Sequence, residues 1–315
     1  NNTAVGYQAL STEDGHGNNT AIGYQSMKVL NAGANAANTA IGYKSGVAVT
    51  DGHSNTLLGT LAGSVLETGD ENTYVGYAAG SSGTTSFTGN TALGFNAFAA
   101  GANVGDANTA IGWSTLKNTN ANSNGNNTAL GYNAGRGNDT GYDNTFIGSQ
   151  AGSSNSTGYS NTTLGKGSGS LISTGNANTI IGRFDGNQDG LDIRTSSNNI
   201  VLSDGAGTYH IHIDSSGTKV MRGSGVTGAQ IGNGTSSGSY FGNAGDFYSS
   251  RATSSNSIHM RFYNTNGQVG NIATNGTATH YNTSSDYRLK ENVVYDWDAT
   301  TRLKQLKPAR FNFIA

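Results

Sequence analysis

Over residues 1–185 the apolar positions recur in one arrangement. Asn-Thr is followed by a variable residue, a branched aliphatic and then Gly. The Asn positions are 2, 19, 38, 55, 72, 90, 108, 127, 144, 161 and 178, so successive copies lie 17 to 19 residues apart. Such a constant period marks a stack of one supersecondary unit. Within each copy the Thr, the aliphatic (Val5, Ile22, Ile41 and onward), a mostly aromatic residue (Tyr7, Tyr24, Tyr43, Tyr77, Phe95, Trp113, Tyr132) and a small residue (Ala9, Ser26, Ser45) alternate at spacing two. Spacing two is the strand period, so these four positions are expected on one face of a short strand. The Gly falls on the other face, where it permits a bend or close approach of another backbone.

Each Asn is expected at a corner, its side chain hydrogen-bonding to the Asn above and below as a ladder with a repeat of about 4.8 Å. Eleven rungs then make a shaft section on the order of 50 Å long. The remaining residues of each rung are Gly, Ser, Asn and Asp, which is turn chemistry. Lengths vary there, as at Asn31–Asn35 and Asn118–Asn122, which marks outward loops. One aliphatic, one aromatic and one small residue per rung cannot seal a core for a single thin chain. A homotrimer wound about a common axis seals it, as does a two-layer roll.

Composition narrows the class. The chain has 315 residues, 34% hydrophobic and 11% charged, with 48 Gly, one Pro and no Cys. That is too little apolar mass for one large core, yet 15 Tyr, 10 Phe and 2 Trp argue against disorder. The net charge of −2 gives no electrostatic case for nucleic acid or a membrane surface. No apolar stretch reaches membrane-spanning length. The first residue lies inside a repeat and is not Met, so residues upstream are expected to be missing.

Beyond Gly182 the period breaks. Asn198–Gly205 reads as a degenerate last rung running into a turn. Strand-like runs follow at 209–213, 239–241, 257–263 and 269–272, so 186–283 reads as a β-rich stalk. Ile258, Met260 and Phe262 alternate with His259, Arg261 and Tyr263, a half-buried strand pattern.

The repeat resembles those of trimeric autotransporter adhesin heads and of phage tail fibres, both homotrimers. The run Asp286-Tyr287-Arg288-Leu289-Lys290-Glu291-Asn292-Val293, with Tyr281–Ser285 before it, resembles the entry to the endosialidase-type intramolecular chaperone domain of phage tail fibres. The resemblance spans residues 282–315. It implies a short helix leading into a Leu306-Lys307-Pro308 turn and an aromatic strand with Phe311 and Phe313. Residues 284–315 are then the start of a truncated chaperone. In that family the chaperone trimerises the fibre and cuts itself off before a Ser followed by Asp, with a Lys five residues later. The resemblance places these roles on Ser285, Asp286 and Lys290, with Ser284–Ser285 as the scissile bond. A Ser hydroxyl needs a base, and a Lys desolvated in an assembled trimer has its pKa lowered enough to serve.

Other chemistries are weaker. His210 and His212 alternate on a strand and could offer nitrogens to a metal on a three-fold axis. The competing expectation is two solvent-facing imidazoles with Ile211 and Ile213 turned inward. The aromatic column could stack on sugar rings, but sharing a face with the aliphatics favours a structural stack inside the shaft. The 19 Asp and Glu show no pairing of the kind a polysaccharide-cleaving site needs. The sequence expectation is therefore an all-β, stacked β-roll or β-helix-like homotrimeric fibre with a short α-containing C-terminal segment. Its function is structural and adhesive, in a virion tail fibre outside the cell, presenting a contact to a host receptor such as a polysaccharide. No cofactor, nucleic acid or membrane insertion is expected. Enzymatic activity is at most a single self-cleavage. The alternative is a bacterial trimeric surface adhesin.

Overall fold

The structure is a computed structural model. It describes residues 1–14, 17–33, 35–81, 86–99, 105–119, 125–217, 219–221, 238–241, 247–250, 255, 257–265 and 267–283. The chain divides into two compact units, Asn1–Ala252 and Thr253–Ala315. The described residues are all-β and contain no helix. The expected C-terminal helix, its Leu306-Lys307-Pro308 turn and the Phe311–Phe313 strand lie outside them.

The first unit is a β-solenoid of eleven turns. Each Asn-Thr copy supplies one three-residue strand: β1 (Thr3–Val5), β2 (Thr20–Ile22), β3 (Thr39–Ile41), β4 (Thr56–Leu58), β5 (Thr73–Val75), β6 (Thr91–Leu93), β7 (Thr109–Ile111), β8 (Thr128–Leu130), β9 (Thr145–Ile147), β10 (Thr162–Leu164) and β11 (Thr179–Ile181). These pair in parallel in sequence order, Thr on Thr and aliphatic on aliphatic, for example Thr20↔Thr39 and Ile22↔Ile41. After a short hairpin of β12 (Asn187–Gln188) and β13 (Leu191–Asp192), β14 (Ile200–Ser203) joins β11 in parallel, with Ile200 in the place of the Thr. The degenerate rung at 198–205 is thus stacked like the others. The sheet then turns antiparallel through β15 (Tyr209–Ile213), β16 (Lys219–Met221), β17 (Gly238–Phe241) and β18 (Phe247–Ser250). The second unit contains an antiparallel meander of β19 (Ser257–Asn264), β20 (Gly267–Asn275) and β21 (Ala278–Thr283).

The expected ladder is present. The side-chain oxygen of each column Asn accepts the backbone N–H of the next, from Asn19 on Asn2 (3.0 Å) through Asn108 on Asn90 (2.8 Å) to Asn199 on Asn178 (2.9 Å). The amide nitrogens donate to carbonyls one rung on, as Asn55 does to Gly69 (2.8 Å) and Asn161 to Gly175 (2.8 Å). Asn19 through Asn199 are all buried. A buried amide without partners costs about 1–3 kcal/mol, so the column is stable only while successive Asn residues stay in register.

The face assignment differs from expectation. The variable middle residue points inward: Ala21, Ala40, Leu57, Tyr74, Ala92, Ala110, Ala129, Phe146, Ile180 and Val201 are buried. The Thr, aliphatic and aromatic columns point outward, and only the small residue of the expected set (Ser26, Ser45, Ala62, Ala79, Ala97) is inside. The cause is the Gly. From Gly6 to Gly165 its φ lies between +129° and +140°, a bend that ends the strand and resets the alternation. A Cβ there would strike the carbonyl of the equivalent Gly one rung on, as Gly59 would strike that of Gly76. Bend and close approach, the two uses anticipated for this Gly, operate together.

A single chain encloses its own core, as a roll with two sides per turn. Backbone bonds such as Gly46 N to Ala62 O (2.9 Å) and Gly63 N to Ala79 O (2.9 Å) join the second side of the coil. The inability of a lone rung to seal itself is therefore no argument for a trimer. In β19, register shifts at Ile258/Met260 and Phe262/Tyr263 break the alternation, and Met260 through Tyr263 are all exposed, so the half-buried pattern read there does not hold.

Asn127→Ala is expected to remove the acceptor for Asn144 N (3.1 Å) and the donor to Gly141 O (3.0 Å). Asn144 N is then buried without a partner, whereas Gly141 O keeps its bond from Asn138 Nδ2 (2.8 Å), and chemical denaturation should show a loss of about 1–3 kcal/mol.

Candidate functional site

The outward strand surface carries three parallel columns, two of them apolar. Three residues after each Asn stands the aliphatic column, with Val5, Leu58, Leu93, Leu130, Leu164 and Ile181 between 43% and 56% exposed and the others partly buried. The parallel register sets each aliphatic directly over the next. The Thr column lies two residues before it. One residue beyond the Gly bend lies the aromatic column, with members 43% to 64% exposed.

The ring stack anticipated from the sequence exists, but on the outside. Tyr7, Tyr24 and Tyr43 stack at 5.3 Å with planes within 16°. Thr60 interrupts the column. Tyr77 and Phe95 stack at 5.1 Å, and Trp113 then meets Phe95 and Tyr132 edge-on at 5.7 and 5.4 Å. A second stacked pair, Tyr142 and Tyr159 at 4.9 Å, sits two residues before its Asn, at another corner of the coil. Beside the rings, Gln25 donates to the Gln8 side chain (2.7 Å), and the Lys44 ammonium stands 5.4 Å from the Tyr43 ring centre.

An aromatic side chain presents about 150–250 Å². Seven rings, each about half exposed, therefore leave on the order of 700 Å² of apolar surface before the aliphatics are counted. Thr60 divides this into about 300 Å² on three rings and about 400 Å² on four, each comparable to the largest patch of a typical monomer, roughly 300–600 Å².

The histidines divide. In the β14–β15 pairing Leu202 faces Ile211 and Ser203 faces Tyr209, leaving His210 as an unopposed bulge residue. The bulge puts Tyr209 and His212 on the same side. Tyr209 is buried edge-on against Phe184, and its ring lies 6.1 Å from that of His212. Both imidazoles had been expected to face solvent, but His212 is partly buried. Its Nε2 lies 2.9 Å from Asn199 Oδ1. The Asn199 amide is oriented by its own bond to Asn178 (2.9 Å), so the oxygen accepts and His212 Nε2 donates. His212 occupies the place where a further Asn would donate, and it caps the ladder. Burial pushes its pKa down, opposed by the Asp214 charge. His210 stays exposed, 3.1 Å from Asp204, whose carboxyl it holds below the usual range together with backbone N–H groups of the turn. No group of three His, Cys, Asp or Glu side chains that could hold a metal ion occurs among the described residues.

Ser284, Ser285, Asp286 and Lys290 lie outside the described residues. Two features went unread in the sequence. One is the inward role of the variable residue, for which the signal was its alternation between Ala and large apolar types. The other is the change of the aromatic column to Ser149, Lys166 and Arg183 in rungs nine to eleven. No protein family, curated protein or solved structure matches the chain.

Because His212 has a folded-state pKa below its ordinary value of 6.5, neither state holds the proton above about pH 6.5, and the full contribution is present. Below that, the unfolded chain takes up the proton first and stability is lost until the folded-state pKa is passed. Thermal denaturation at pH 7.5 and pH 5 should show a larger drop for the wild type than for His212→Gln, which retains an amide donor.

Proposed function

We propose that this protein is a structural and adhesive fibre shaft of the phage-tail-fibre type, working as a homotrimer whose outward aliphatic columns face one another. It holds a host-contacting surface away from the particle and acts on no diffusible substrate. The carrying observation is the aliphatic column itself, one outward aliphatic per rung along twelve stacked strands, either exposed or partly buried but never fully covered. A partner that covers such a stripe needs the same repeat in the same register. Further copies of this chain supply that by construction. The exposed Met260, Phe262, Tyr263 and Tyr281 of the β19–β21 meander favour assembly in the same way.

Analytical ultracentrifugation of the protein at micromolar concentration should give three times the 32.2 kDa chain mass. Leu93→Glu combined with Leu130→Glu places two charges per chain in the apolar seam, and should yield single chains with an unchanged β circular dichroism spectrum. A wild-type protein that sediments as one chain would sink the assembly.

The resemblance at 282–315 supports a chaperone that releases itself after assembly, with Ser285 as nucleophile and Lys290 as its base. Expressed with the complete chaperone, the denatured protein should show a fragment beginning at Ser285, lost in Ser285→Ala and in Lys290→Ala. An intact wild-type chain within a folded trimer would refute self-cleavage and leave the fibre reading standing.

A further inference from the structure

The column five residues after each Asn changes chemistry at its C-terminal end. From Tyr7 to Tyr132 it is aromatic apart from Thr60, and Ser149, Lys166 and Arg183 follow. The in-register pairing of β10 and β11 sets Lys166 and Arg183 one strand spacing apart, about 4.8 Å at the backbone. Both are exposed, and neither forms an ion pair among the described residues. Arg194, by contrast, is matched to Asp192 at 2.7 Å. Two unmatched cations stacked on adjacent rungs repel each other, and an anion shared between them relieves that repulsion.

The coil is enlarged at this level. Asn178 and Asn199 are 21 residues apart, and the extra length forms the β12–β13 hairpin. Asp185 and Gln188, at its near end, line an open cavity of about 320 Å³ together with Gln150, Lys166, Ser170 and Arg183. The hairpin wall is tied down within the chain. Asp185 Oδ1 accepts from Asn187 N (2.8 Å), and Gln188 Nε2 donates to Ala206 O (3.3 Å). Gly207, at φ +98°, lies against Gln188, and a Cβ there would displace the amide.

We propose that this cavity binds an acidic saccharide, its carboxylate placed against Lys166 and Arg183 and its hydroxyls on Gln150, Ser170, Gln188 and Asp185. Two cations within one cavity favour an anion over a neutral sugar. Two amides and a hydroxyl, groups that both donate and accept, match sugar hydroxyls. Asp185 separates a saccharide from phosphate. A carboxylate accepts from the several hydroxyls of a sugar but repels a phosphate dianion, which brings two negative charges and a single O–H. The volume lies at the small end of ligand pockets, enough for one or two sugar units. All of these residues belong to one chain, so the inference stands or falls apart from the trimer.

Isothermal titration on the full 315-residue protein tests this with three probes: an oligogalacturonate, maltohexaose as a neutral oligosaccharide, and inorganic phosphate. The oligogalacturonate should bind at least about tenfold more tightly than either of the others, and added salt should weaken it. Lys166→Gln and Arg183→Gln should each lower its affinity about tenfold, at unchanged melting temperature. Lys166→Arg should retain binding, and so should Arg194→Gln, whose cation is already matched. Absence of oligogalacturonate binding, equal binding of the three probes, or full affinity in the Lys166→Gln/Arg183→Gln double variant would each overturn the proposal.

Discussion

The buried Asn column is the constraint on which the first unit depends. A short parallel strand three residues long gives few ladder bonds, and β1 to β11 have no flanking helices to pin their register. The Asn side chain supplies what the strand lacks. Its oxygen reads the position of the next Asn N–H, and its nitrogen reads a carbonyl on the adjoining corner, so one residue fixes two points of the neighbouring rung. Slippage by one residue would leave these groups buried without partners, at about 1–3 kcal/mol each. Because both readings are local to one corner, the opposite loops are free to change length. Spacings of 17, 19 and 21 residues all close onto the same column. His212 completes the series with a ring nitrogen where an amide would otherwise stand.

Inside that frame the core is narrow, and its volume is exchanged between two positions. Where the middle strand residue is large, the position six residues later is Gly: Leu57 with Gly63, Tyr74 with Gly80, Phe146 with Gly152. A Cβ on each of those glycines would run into the large side chain. Where the middle residue is Ala, the later position can be large and buried, as in Ala21 with Met27, Ala92 with Phe98 and Ala110 with Leu116. Close packing demands that one of the two yield. From Leu10 to Gly169, the Gly, Met, Phe and Leu at this later position all adopt positive φ, between +43° and +62°. The turn is therefore imposed by the stack rather than by any local preference for glycine, and the strain at Met27, Phe98 and Leu116 is offset by the apolar volume they bury.

This explains which parts of the fold were legible in the chain. Period, strand positions and ladder follow from Asn, Thr and Gly, whose chemistry is the same in every rung. The in-out assignment was not legible, because extending the two-residue alternation from Thr3 through Val5 to Tyr7 assumes that the strand continues. It ends at Gly6, whose φ of +129° turns the chain, so Ala9 and its equivalents face the interior while Tyr7 does not. The variable residue between Thr and the aliphatic looked uninformative because it varied. It varied because it shares a volume with a second position. His212 was hidden for a similar reason: the bulge at His210 reverses the face on which an alternation count places it.

A coil with one outward side chain per column per rung separates scaffold from surface chemistry. Changing an inward residue disturbs two positions at once, as the Leu57–Gly63 and Phe98–Ala92 exchanges show. A change at the fifth position after Asn disturbs neither ladder nor core, since the Gly bend has already turned that side chain out. The same site therefore carries Tyr, Phe, Trp, Thr, Ser, Lys and Arg without altering the backbone register around it. Aromatic character over rungs one to eight gives way to charge only where the β12–β13 hairpin adds a wall beside the column. Charge alone on an open stripe would be screened by solvent and salt. Charge set against Asp185, Gln188 and Gln150 acquires direction, and that coincidence of a changed column with an enlarged coil separates this level from the ten rungs before it.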